Sequence, residues 1–71
     1  MPLRLLRPRE VIARLERAGF RRVRQRGSHV RLVDAEGHGV TVPIHSGDVP
    51  IWALRSILRQ VGISEVQWDR L

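Results

Sequence analysis

Gly27-Ser28 sits between two short runs in which apolar and polar residues alternate: Arg22-Val23-Arg24-Gln25-Arg26 before it and His29-Val30-Arg31-Leu32 after it. A Gly-X pair suits a two-residue type II′ turn, so the segment predicts a β-hairpin. Such a turn sets Arg26 opposite His29, Arg24 opposite Arg31 and Arg22 opposite Val33. Strand side chains alternate, so Arg22, Arg24, Arg26, His29 and Arg31 are expected on one face, with Val23, Val30 and Leu32 on the other. Arg24 across from Arg31 opposes like charges, which destabilises a sheet. A face built this way beside a titratable imidazole suits an anion. Guanidinium chemistry points to phosphate.

The rest of the chain divides around this hairpin. Pro8 fits the first turn of a helix, where its missing N–H is no loss. Val11, Ile12, Leu15 and Ala18 follow at helical spacing, with Glu10 and Arg14 as an outer i,i+4 pair, and Gly19 suits the C′ stop. Strands are expected over 21–26, 29–34 and 39–43, the second turn being Asp34-Ala35-Glu36-Gly37. Val40 and Val42 supply the inward side of the third strand, which Pro43 closes. Asp48 and Pro50 open a second helix with Ile51, Leu54, Ile57, Leu58 and Val61 on one arc and Gly62 as its stop. Ser64-Glu65-Val66-Gln67 reads as a capping box for a short terminal turn. The order α-β-β-β-α predicts an α+β two-layer sandwich in which both helices cover the face of Val23, Val30, Leu32, Val40 and Val42.

At 71 residues the chain is expected to be one domain with a small core, burying about 60% of its unfolded surface. Without cysteine, neither a disulfide framework nor a Cys-type zinc site is available. No apolar run approaches a membrane span, and Met1 to Arg7 is too short for a signal peptide, so a cytoplasmic location is expected. Charge is uneven. Residues 1–31 carry ten Arg against Glu10 and Glu16, a net of +8, whereas residues 32–71 carry three Arg against five acids, a net of −2. A basic half of this density implies nucleic acid or an acidic protein as partner. All thirteen basic residues are Arg, which follows either from genome composition or from a need for bidentate phosphate contacts.

Four stretches carry a resemblance: Gly19-Phe20, Arg24-Gln25-Arg26-Gly27-Ser28-His29, Val42-Pro43-x-His45, and Leu54-Arg55-Ser56-Ile57-Leu58-Arg59-Gln60-x-Gly62-Ile63-Ser64. In this order they resemble the HicA (YcfA-like) toxins over nearly the whole chain. The resemblance implies a fold like the double-stranded-RNA-binding domain and the role of toxin in a type II toxin–antitoxin pair. It further implies an mRNA interferase neutralised by a HicB-like antitoxin, with its catalytic histidine at His29. The chain departs from the family at Ile44, where a polar or basic residue is usual, and at Trp52-Ala53, where Gly-Thr is frequent.

RNA cleavage by internal attack needs a proton taken from the ribose 2′-OH, a stabilised phosphorane and a protonated leaving oxygen. An imidazole serves as acid or base near neutrality, and Arg22, Arg24, Arg26, Arg31 and the Ser28 hydroxyl are the candidate phosphate contacts. The alternative for His29 is a histidine that caps the turn. The alternatives for the whole chain are a non-catalytic RNA-binding module and a domain whose Arg face docks an acidic protein. His45 fits a supporting acid, a substrate contact or a loop hydrogen bond, with the loop role favoured, and His38 is expected to be solvated. The three histidines, nine and seven residues apart, match no local ligand pattern, so neither metal nor cofactor is expected. Trp52, Arg55 and Arg59 fall on one side of the second helix, as in an interface anchor or stacking platform. The need for apolar area in a small domain instead favours Trp52 packed on Trp68 or Leu71.

Overall fold

Local stop and start signals set the elements of the computed structural model, which describes residues 3–71; Met1 and Pro2, part of the segment read as too short for a signal peptide, lie outside the described residues. Helix α1 (Pro8–Arg17) has Pro8 in its first turn. It ends at Gly19, φ 103°. There the Gly19 N–H donates to the Glu16 carbonyl at 3.1 Å and the Phe20 N–H to the Leu15 carbonyl at 3.0 Å. These paired bonds make a Schellman ending, and Phe20 turns into the core.

Strands β1 (Arg21–Arg26), β2 (His29–Val33) and β3 (Gly39–Pro43) form an antiparallel sheet in the order β1-β2-β3. Gly27 has φ 59° and, among the described residues, no non-glycine residue has positive φ, as a type II′ turn requires. β2 stops one residue short of the expected 34 because Asp34 fastens the next turn. Its Oδ1 accepts from the N–H groups of Glu36 at 3.0 Å and His38 at 2.8 Å. Helix α2 (Ile51–Val61) ends at left-handed Gly62. Asp48 does not cap it: Pro50 holds the N-cap position, and the Asp48 carboxylate lies 3.9 Å from Arg7. Helix α3 (Glu65–Asp69) opens with the expected capping box, reciprocal bonds of 3.0 and 3.1 Å joining Ser64 and Gln67.

The helices cover one sheet face. Val30 pairs with Val42 and Leu32 with Val40, all fully buried beneath Val11 and Leu15 of α1 and Leu54 of α2. Each such aliphatic side chain contributes about 1.5–3 kcal/mol through burial. The cover does not reach β1, all six of whose residues are exposed.

Three expectations fail here. Val23 is 46% exposed, outside the core, because a bulge between Arg22 and Arg24 leaves it unpaired, and Gln25 lies opposite Val30. An extra residue in an uncovered edge strand costs no core contact and blunts the edge against unwanted pairing. Arg14 turns inward instead of facing solvent with Glu10: its Nη1 donates to the Trp68 carbonyl at 3.0 Å and its guanidinium lies 5.5 Å over the indole. Trp68 is the buried tryptophan and belongs to the core, whereas Trp52 is 76% exposed and lies outside it.

Candidate functional site

The site begins with the tight hairpin. Arg26 pairs with His29 and Arg24 with Arg31, as the two-residue turn requires, so these four side chains share the face that the helices leave open. Thr41, in register with Arg31 on β3, joins them. Together they line an open cleft of about 280 Å³ in which every lining residue is exposed. Sequence reading missed Thr41, although the alternation Val40-Thr41-Val42 points it outward.

Arg31 relieves the repulsion expected from Arg24. Its Nη1 donates to Thr41 Oγ1 at 3.3 Å, and its guanidinium lies across Gly39, where a Cβ would collide with it. The Arg31 head is thereby drawn over β3, onto Thr41 and Gly39. The cleft's preformed charge is positive, and its donors match the oxygens of a phosphodiester. Among the described residues the His29 imidazole makes no side-chain hydrogen bond, and the turn is tied instead by Gln25 Nε2 donating to the Gly27 carbonyl at 3.3 Å. A turn-capping role for His29 therefore has no geometric support.

Other residues expected at the site lie elsewhere. The bulge shifts the register so that Arg22 faces Leu32 rather than Val33, and its Nε sits 3.9 Å from the Glu16 carboxylate of α1. Arg21 takes the position opposite Val33, in line with the outward row of His29 and Arg31. The Ser28 side chain does not line the cleft, while its carbonyl accepts a hydrogen bond from the Ile44 N–H. His45 lines a second cleft with Arg7, Pro8, Arg9, Glu10 and Ile44. On α2, Trp52 and Arg59 are exposed and Arg55 Nε lies 3.5 Å from Glu65, away from the His29 cleft.

His38 is not merely solvated. At the other end of β2 its Nδ1 is 2.9 Å from Asp34 Oδ2. Partial desolvation pushes the Asp34 carboxyl up, but hydrogen bonds from the His38 ring and the His38 and Glu36 N–H groups, with the His38 charge, outweigh it and leave its pKa lowered. The hydrogen bond to Asp34, then its negative charge, raises the His38 pKa. Asp34, Glu36 and His38 bring potential metal-ligating atoms within 4.8 Å of one another, and the turn's own hydrogen bonds account for that proximity. Among the described residues no helix is long and apolar enough to cross a membrane.

A small helix-backed sheet with a bare cationic face defines an anion-facing α+β domain. The family model described as the HicA toxin of bacterial toxin-antitoxin matches residues 8–63, from the first residue of α1 to just beyond α2. The chain belongs to the HicA toxin family, and an antitoxin partner follows from that membership. Comparison with curated proteins gives no match.

Proposed function

We propose that this toxin is an endoribonuclease that cuts mRNA without a metal ion, using His29. The supporting observation is the open cleft in which an exposed imidazole stands among Arg24, Arg26 and Arg31. Neutral His29 accepts the proton of a ribose 2′-OH, whose oxygen attacks the adjacent phosphorus. Arg24 and Arg26 take the charge gathering on the non-bridging oxygens, with Arg31 completing the clamp from the β3 side. The P–O5′ bond breaks, and the proton held by the imidazole passes to the departing 5′-oxygen. Atoms balance with no co-reactant, giving a 2′,3′-cyclic phosphate and a 5′-hydroxyl.

Control follows from the same surface. A HicB-like antitoxin is expected to lay acidic side chains over Arg24, Arg26 and His29, excluding RNA, with association that slows as salt rises. Binding should also raise the toxin's melting temperature by mass action. A purified complex that still cleaves RNA, with His29 open, rules out occlusion.

RNA incubated with EDTA tests the activity. Wild type should yield cyclic-phosphate ends and His29→Ala should lose cleavage by at least a hundredfold, the scale of one acid–base group. Undiminished cutting by the variant removes His29 from the chemistry. Binding without cutting by either protein favours the RNA-binding module instead.

A further inference from the structure

The cleft holding His45 measures about 490 Å³, larger than the one at His29, and the cleavage chemistry leaves it unused. Arg7 and Arg9 project from the start of α1, His45 and Ile44 come from the segment after β3, and Pro8 and Glu10 complete the walls. Two backbone contacts hold these walls together. The Val49 N–H donates to the Leu6 carbonyl at 2.7 Å, pinning the start of α1 to the β3–α2 connection, and the Ile44 N–H donates to the Ser28 carbonyl. The second contact ties Ile44 to Ser28, the residue before His29. Pro43 is the register partner of His29, and His45 lies two residues on, at most about 7 Å of chain away. Both sites therefore share one end of the β2–β3 pair.

We propose that the Arg7–Arg9–His45 cleft binds a phosphate of the RNA strand flanking the nucleotide held at His29. This rests on the ribonuclease reading above and extends it to a second subsite. Arg7 and Arg9 supply two guanidiniums, and the exposed His45 adds a ring that can donate to phosphate or lie against a base. No side chain caps α1, so its positive end reinforces the cations already in the cleft. Two acids oppose them. The Asp48 contact with Arg7 is long and exposed, and contributes little that a phosphate would have to displace. Glu10, in the first turn of α1 beside Arg9, adds a negative group to the lining. It favours a strand whose phosphate sits at Arg7 and Arg9 and disfavours anions spread across the whole cleft.

The test uses a 2′-O-methyl RNA octamer, which cannot undergo 2′-OH attack, and backbone amide NMR of the full chain. The octamer should shift the amides of residues 7, 9, 10, 44 and 45 as well as 24–31. RNA shortened from one end until it fills the His29 cleft alone should leave the 24–31 shifts and lose the others. Arg9→Ala, at an exposed site, should keep its melting temperature and lower the slope of log affinity against log salt by about 0.7, the value for one single-strand phosphate contact. Unmoved amides at 7, 9 and 10, or an unchanged slope, overturn the subsite. If the Arg9 variant binds RNA normally but loses affinity for the antitoxin, the cleft is a protein contact and the proposal fails. Wild type that shifts nowhere with RNA refutes the ribonuclease reading itself, a result distinct from losing the second cleft alone.

Discussion

β1 and β3 are both edge strands of one sheet, yet they obey different rules. β3 alternates: Val40 and Val42 are fully buried under α1 and α2 while Thr41 faces out. β1 has four Arg in six residues, no buried position and a bulge. Because the helices stop short of β1, its residues are free of packing constraint and can be selected for charge. Surface without helices behind it can carry a cationic stripe and an irregular ladder at little cost to folding. The β3 side carries core packing and the β1 side carries charge.

The sharpest way to break this division is to truncate one residue beneath the helices, on the central strand β2, and one beyond them on β1. Leu32 and Val23 look alike in sequence, both apolar and both expected inward. Leu32→Ala at a fully buried site should cost about 2–5 kcal/mol by urea denaturation. Val23→Ala, at the exposed bulge, should change stability by no more than about 0.5 kcal/mol. Comparable losses would mean that β1 is packed after all.

The bulge allows a finer cut between two adjacent arginines. Arg21→Ala should weaken RNA binding and lower its salt slope, because Arg21 holds the outward register beside the row of His29 and Arg31. Arg22→Ala should leave binding unchanged and cost at most about 1 kcal/mol, since its contact with Glu16 is exposed. The reverse pattern, measured by anisotropy over a salt series, would restore the unbroken alternation that the sequence suggests.

That pair marks where sequence reading stops. The helix stops at Gly19 and Gly62, the Ser64 box and the Gly27 turn were all legible, because each depends on a few neighbouring residues and their φ preferences. So was the cluster of Arg24, Arg26, Arg31 and His29, which a two-residue turn enforces. The bulge was not legible, since Val23 is the one apolar residue of Arg-Arg-Val-Arg-Gln-Arg and only the edge of the helical layer decides whether it must be buried. Nor was the exchange of roles between the tryptophans. It depends on Arg14 reaching 54 residues along the chain to the Trp68 carbonyl, which periodicity cannot foresee.

A smaller effect tests whether β3 shapes the site from a distance. In Gly39→Ala the new methyl must push aside the Arg31 guanidinium, a flexible group that can move cheaply. Stability should fall by less than about 1 kcal/mol, as expected for a surface change. The Arg31–Thr41 contact should be lost, and with it part of the RNA affinity. Unaltered affinity would show that Arg31 acts through its charge alone, whatever its orientation.

The smallest expected effect lies at the β2–β3 turn, the end of β2 away from His29. The lowered Asp34 pKa means that its contribution is present above the ordinary carboxylate value and fades as pH falls through the lowered one. The raised His38 pKa means that its contribution is complete below the ordinary imidazole value and fades as pH climbs through the raised one. Between these limits the ion pair closes the turn most firmly. Amide exchange at Glu36 and His38, corrected for intrinsic rates, should therefore be slowest in that mildly acidic window and quicken on both sides. His38→Ala should remove the alkaline limb while Asp34 Oδ1 still accepts from the backbone N–H groups of residues 36 and 38. A flat profile in the wild type would leave the backbone bonds as the turn's sole fastening, with the Asp34–His38 contact adding nothing to hold β3 against β2.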